Sequence, residues 1–403
     1  MVQSPVVVFL VALGMRLWAA SQLLPEKIWK FFYQYNEPAR IASVLVSGYG
    51  YSSPWPNTPL APTAQQPPVY PFLLAGIFKL AGSYTIWSLG IAVALNAGLS
   101  ALTAVAILRL GKREFGLLVG VLAAWVWSCW LYEAVVAIRI WESSLSALLL
   151  ASALLLLPEL GTSRRSSRWL LFGALAGLAA LTNTTLMAVF PPFWIWLWVR
   201  HRRRKASSHR VLLASIGIFI LVMLPWTIRN YVTFHRFVPV RDNFGLELSL
   251  GNHEARTNPD STDFPLLNPA EYNRLGEITF MQTKRRIAVQ FIRQHPAEFL
   301  RLSVQRCFLF WTAPDRSAWP WISLLAWLGL VLALRNKGWE AVPYAIVVAT
   351  FPVVYYITHT YDSYRHPIEP AILLLAAYAL VNTVEAASMK LAPAPLVLVE
   401  AHL

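Results

Sequence analysis

The sequence predicts an all-α polytopic membrane protein of about ten transmembrane helices. Three observations carry that expectation. Of 403 residues, 57% are hydrophobic and only 13% charged, against roughly 45–50% and about 25% in soluble domains. Apolar runs wide enough for a bilayer recur along the chain, as spanning helices require. Short basic clusters punctuate these runs and hold much of a formal charge of +14. Such a chain cannot cover itself as a cytosolic enzyme, and its runs are too long for barrel strands. Cys129 and Cys307 have neither disulfide-framework nor metal-ligand spacing and read as isolated thiols.

The first run, Val6 to Leu24, lacks a basic leading segment and a small-x-small cleavage pattern, so it reads as a retained span rather than a signal peptide. Further spans are expected at Thr85–Leu108, Phe115–Tyr132, Ile140–Leu157, Trp169–Leu181, Thr184–Val199, Val211–Ile228, Trp319–Leu334, Ala341–Thr358 and Pro367–Val381. Four basic loops separate pairs of them: Arg109, Lys112 and Arg113; Arg164, Arg165 and Arg168; Arg200 to Arg210; and Arg335 with Lys337. With two spans between neighbours, all four share one face, which the positive-inside rule makes cytoplasmic along with both termini. A nucleic-acid patch is the weaker explanation of these cations.

That parity requires Val69–Leu80, opened by Pro67-Pro68 and interrupted by Pro71, not to cross. Twelve helical residues rise about 18 Å against a hydrocarbon core of about 30 Å, so the segment reads as a juxtamembrane helix. The whole chain, 1–403, is then one transmembrane unit with an external first loop at 25–84 and a long external loop at 229–318. In the long loop, Asn268-Pro269-Ala270-Glu271 has the form of a helix cap. From Glu277 to Phe310, Ile278, Met281, Ile287 and Phe291 alternate with Lys284, Arg285, Arg286 and Arg293 as on an interfacial amphipathic helix. The polar run Pro239 to Glu254 suggests a lid over a pocket, although its residue types also build ordinary turns.

On the external face, Tyr35-Asn36-Glu37-Pro38-Ala39-Arg40 is followed by Ser47-Gly48-Tyr49-Gly50-Tyr51-Ser52 and by Gln65-Gln66-Pro67-Pro68-Val69-Tyr70-Pro71. An acid just beyond the first span, a Gly-aromatic turn and a Pro-Pro-x-Tyr-Pro helix start form an ordered set. This set resembles the first external loop of the GT-C glycosyltransferases, the superfamily of protein O-mannosyltransferases and aminoarabinose transferases. It is most similar to the bacterial RgtA/B/C/D-like group. The resemblance is specific over roughly the first 80 residues and looser beyond.

It implies an external active site and a polyprenyl-phosphate sugar donor. A first-loop carboxylate would be the catalytic base, a second acid would follow the third span, and an Arg would hold the lipid phosphate. The family commonly has an Asp-Glu pair where this chain has Asn36-Glu37, so Glu37 takes the base role. The missing Asp leaves divalent metal with little support, and no other cofactor is expected. On its own, Glu37 could instead pair with Arg40 one helical turn away.

Glu133 and Glu142 both fit the second acid. Arg139, three residues before Glu142, is either its helix-pinning partner or a donor-phosphate ligand. Arg365, in Tyr361-Asp362-Ser363-Tyr364-Arg365-His366, is a second candidate for the phosphate, since Arg binds phosphate bidentately. Glu369 could instead pair with it. Asn36, Tyr70, Tyr364, His366, Asp242 and Glu247 complete the expected substrate pocket. His359 and His366 make no metal site by spacing.

The expected function is transfer of a sugar, with inversion, from a polyprenyl-phosphate donor to a hydroxyl of a glycan, lipid or protein acceptor at the external face of the cell membrane. Membrane lipid is the expected surrounding partner and nucleic acid is not a partner. The alternative is a transporter or flippase of a lipid-linked sugar. Repeated halves and polar residues at mid-membrane would mark that class, and neither is evident.

Overall fold

The computed structural model describes residues 2–23, 32, 36–53, 55, 58, 60–162, 165–204, 209–254, 268–313 and 319–391. Leu24, Tyr35, Arg164, Lys205 and the loop segments 255–267 and 314–318, each part of an expectation above, lie outside these residues. Among the described residues the chain is helical, with one isolated antiparallel bridge between Ser52 and Pro62 and no strand.

The helices are α1 (Pro5–Leu23), α2 (Glu37–Val46), α3 (Val69–Ala81), α4 (Ile86–Glu114), α5 (Leu117–Cys129), α6 (Leu131–Ala137), α7 (Ser143–Leu160), α8 (Ser166–Thr182) and α9 (Phe190–Arg203). They continue as α10 (His209–Phe234), α11 (Phe244–Gly251), α12 (Pro269–Leu275), α13 (Glu277–Gln294) and α14 (Pro296–Thr312). The last are α15 (Trp319–Lys337), α16 (Val342–Thr350), α17 (Val353–Ile357) and α18 (Glu369–Leu391). Six runs are long and apolar enough to cross a bilayer, or seven if α5 and α6, bent by 65°, form one broken span. About ten were expected. The lower count arises because α8 and α9 have 17 and 14 residues, while α15 to α17 fall within one 39-residue run. A straight helix of that length would rise almost 60 Å, about twice the hydrocarbon core. Gly338, with φ 55°, turns the chain within it.

The spans pack through small residues, as helices do in lipid, where close backbone approach replaces the hydrophobic drive. A Cβ at Gly173 on α8 would collide with the Ser215 carbonyl of α10, and one at Gly329 on α15 with the Leu375 carbonyl of α18. The expected break near Asn183 is present: Asn183 is extended and its side chain accepts the Thr185 N–H, ending α8.

Contacts join the four basic loops at one end of the bundle. Arg113 and Arg168 both pair with Glu159, Arg204 donates to the Gly161 carbonyl, Arg200 pairs with Glu340, and Lys337 lies over the Phe115 ring. The other end carries the polar loops, with α7 running between the two over 18 residues.

Two expectations about helix limits are corrected. The seventh expected span ends at Phe234, not Ile228, because the apolar helix continues past Arg229. The amphipathic run from Glu277 divides at His295-Pro296 into α13 and α14, since proline cannot donate the next helical hydrogen bond and restricts the residue before it. The buried face of α13 is Phe280, Met281, Lys284, Ala288 and Phe291. Lys284, placed on the solvated face by its charge, is buried there against Glu271 and the Phe280 ring.

Candidate functional site

Asn36 fixes the entry to the site. Its side-chain oxygen accepts the Ala39 N–H at 2.8 Å and caps α2, with Pro38 in the first turn. Its amide nitrogen donates to the Ile140 carbonyl at 2.6 Å. An ionised aspartate could cap the helix but could not make that donation, which gives the Asn at this position a structural reason. The bond ties the start of α2 to the 138–142 turn, 104 residues away in sequence.

Between these segments opens a cavity of about 1750 Å³. Glu37, Glu142, Glu247, Asp362, Arg40, Arg139 and Arg241 supply its charges, and Met187, Leu250, Phe351 and Val354 are part of an apolar wall. Glu37 accepts the Trp55 indole N–H on one oxygen at 2.6 Å and the Gln66 amide on the other. Burial pushes its pKa above the usual carboxylate value, while the two donors and the Arg241 charge oppose the rise. Glu142 is pushed by burial to about 7, opposed by Arg241 and reinforced by the charge on Glu37. The two carboxyl groups therefore share one electrostatic environment.

Among the described residues, the guanidiniums of Arg40 and Arg139 have no ion-pair or hydrogen-bond partner, and the Arg40 Nε is buried. Neither alternative pairing is present: Glu37 does not pair with Arg40, and Arg139 does not pair with Glu142. Residues 138–142 form a turn before α7 rather than part of a helix, so the three-residue spacing does not place Arg139 and Glu142 on one helix face. Arg241, by contrast, is committed to Glu247 at 3.2 Å and to the Gln65 carbonyl at 2.6 Å.

The run from Pro239 to Leu250 lines one wall, as a covering element would. Gly245 and Gly251 let α11 lie close, since a Cβ would meet the Met281 carbonyl at the first and the Thr358 carbonyl at the second. Glu247 also faces His359, whose Nε2 is 3.1 Å from the Tyr364 hydroxyl. Tyr364 stacks on Tyr355, and Tyr355 meets Thr185 at 3.1 Å.

Five expected site residues lie elsewhere. Arg365 is fully buried between the rings of Trp311 and Trp319, paired with Glu369 at 2.6 Å and bonded to Ser323. It does not line the cavity, because its charge is already satisfied inside the bundle. Glu133 and His366 are also fully buried, 2.5 Å apart, with the Trp127 ring beside the imidazole. Neither lines the cavity. Tyr70 is buried against Asn96. Asp242 contributes its backbone N–H to the Ala64 carbonyl, and burial raises its carboxyl to about 6. Glu37, Glu142, Arg139, Asn36, Tyr364 and Glu247 do line the cavity. Sequence reasoning missed Trp55 and Gln66 as ligands of Glu37; the one available signal was a Trp in a proline-flanked loop segment and an amide pair before Pro67-Pro68.

Among the described residues, no three His, Cys, Asp or Glu side chains come together at metal-binding distance.

Residues 65–228 match the family described as dolichyl-phosphate-mannose-protein mannosyltransferase. No curated protein matches the chain by sequence. Among solved structures, ArnT from Cupriavidus metallidurans bound to undecaprenyl phosphate aligns over 96% of this chain, with 17% identity and a TM-score of 0.53. The archaeal oligosaccharyltransferase AglB from Archaeoglobus fulgidus, in complex with an inhibitory peptide and a dolichol-phosphate, aligns over 96% with 11% identity and a TM-score of 0.57. The chain spans 60% of the ArnT length and half of AglB. The fold is that of the GT-C glycosyltransferases, and the chain is a multi-pass membrane protein.

Proposed function

We propose that the protein transfers a sugar from a polyprenyl-phosphate donor to an acceptor hydroxyl, at the membrane face opposite its basic loops. The observation that carries this reading is one cavity holding two carboxyl groups of raised pKa and two arginines without partners. An unpaired guanidinium in a half-buried site is costly unless an anion completes it. A lipid phosphate supplies that anion, with its isoprenoid against the apolar wall of Phe351, Val354 and Met187. The lipid phosphates bound by ArnT and AglB in their own structures support the same class of donor.

Glu37, ionised, accepts the proton of the acceptor hydroxyl as that oxygen bonds to the anomeric carbon. The bond from that carbon to the phosphate oxygen breaks, and the electron pair leaves with polyprenyl phosphate. Arg139 and Arg40 stabilise the charge as it develops. One displacement inverts the anomeric centre. Glu142, about half protonated near neutrality, hydrogen-bonds the sugar or acceptor. The positive-inside rule places the basic loops and both termini in the cytoplasm, and the cavity outside.

Purified protein in detergent, incubated with a labelled polyprenyl-phosphate sugar and acceptor, should release polyprenyl phosphate. Because detergent has no sides, flipping cannot account for that product. Glu37→Gln should lower transfer by about a hundred- to ten-thousandfold, the usual worth of a general base, while the protein still folds. Full activity in Glu37→Gln would remove Glu37 from the mechanism.

A further inference from the structure

Glu277 opens α13 in the long loop, yet its carboxylate reaches into the first loop. It accepts the Thr63 hydroxyl at 2.5 Å, the Ala64 N–H at 2.6 Å and the Tyr272 hydroxyl at 2.9 Å. Thr63 and Ala64 begin the short segment that ends in Gln66. The backbone of that segment is held at every turn: Arg229 donates to the Thr63 carbonyl, the Asp242 N–H to Ala64, Arg241 to Gln65 and the Tyr51 hydroxyl to Gln66. Its free end presents the Gln66 amide to Glu37. Through its third donor Glu277 touches the other ligand of Glu37, because the Tyr272 ring packs edge-on against Trp55 at 4.9 Å. Trp55 in turn donates to Glu37. Both hydrogen-bond donors of Glu37 thus trace back to one carboxylate on a different loop.

We propose that Glu277 is the positioning residue of the site: it clamps the Thr63–Gln66 segment and Tyr272, and so holds the Gln66 amide and the Trp55 indole on Glu37. A buried acid bound by three neutral donors within one residue pair and one tyrosine is otherwise an expensive way to close a loop. An apolar contact would close it at lower cost. The role given to Glu277 deepens the proposed function, in which Glu37 is the base.

The test reads Glu37 directly and needs no substrate. Dicyclohexylcarbodiimide adds to a carboxyl group in its protonated form, so the pH midpoint of Glu37 labelling, followed by peptide mass spectrometry on the full-length protein in detergent, reports its protonation. Hydrogen bonds to a carboxylate favour the ionised form. Glu277→Gln should therefore move the Glu37 midpoint upward by about one pH unit, the worth of one charge-assisted hydrogen bond. An unchanged Glu37 midpoint in a folded Glu277→Gln protein overturns the proposal. Should that variant fail to fold, Thr63→Val and Tyr272→Phe each remove one of the three donors. An upward shift in either supports the clamp, and no shift in both overturns it. Neither result depends on whether Glu37 is the catalytic base, so an active Glu37→Gln enzyme would sink the proposed mechanism and leave this outcome readable by itself.

Discussion

Burial sets the protonation of the cavity carboxyls, and that has a consequence for stability as well as chemistry. Glu142 titrates at about 7 in the folded chain against an ordinary 4.5. Between those values the folded state binds more protons than the unfolded one, so stability falls as pH rises through that window and stays lower above it. Glu142→Gln removes the ionisation. Its melting temperature should exceed that of the unmodified protein at neutral and alkaline pH by roughly 2–4 °C for each kcal/mol gained. The two melting curves should converge below the ordinary carboxylate range, and a uniform offset at all pH values would count against the raised pKa. At this scale the sequence could name Glu37, Arg139 and Arg365 as ionisable groups near a membrane boundary. It could not separate the two arginines. Arg365 meets Glu369 one helical turn on, whereas Arg139 finds no acid, and that difference depends on which helices face each other.

The elements around the cavity depend on close backbone approach. The short α11 lies on α13 at Gly245 and against residue 358 at Gly251, with no room for a Cβ at either. Gly245→Ala should cost about 1–3 kcal/mol of stability through overpacking. It should also weaken donor binding by displacing Glu247 and Arg241, measurable as a lower melting temperature and a raised KM for the lipid donor. A wild-type KM would show that α11 does not shape the donor site. The helix start at Asn268 and the break at Asn183 were legible, because both are capping residues whose chemistry is local. The bend between α5 and α6 was not, since Trp130 at that break carries neither Pro nor Gly. The inward face of Lys284 was hidden for a similar reason: its charge says solvent, while its partner Glu271 lies on another helix.

Across the whole molecule, the basic loops meet at one end and the cavity opens at the other. Both flanks of α3, Gln66 and Tyr84, line the same cavity. The orientation is testable with single cysteines in a protein whose Cys129 and Cys307 are replaced by serine. Ala270→Cys should react with a membrane-impermeant maleimide on intact cells, and Arg203→Cys only after lysis; the reverse pattern would invert the proposed topology.

The sequence by itself determined the class of molecule, the clustering of its cations in short loops and the first-loop motif around Glu37, because hydropathy, charge clusters and helix caps act within a few residues of themselves. Only the tertiary structure decided which ionisable groups share a cavity. Asn36 reaches Ile140, Gln66 reaches Glu37, and Glu277 reaches Thr63 across 214 positions of chain. Each carboxyl's charge state follows from what surrounds it after folding, and a linear pattern of residues does not contain that surrounding.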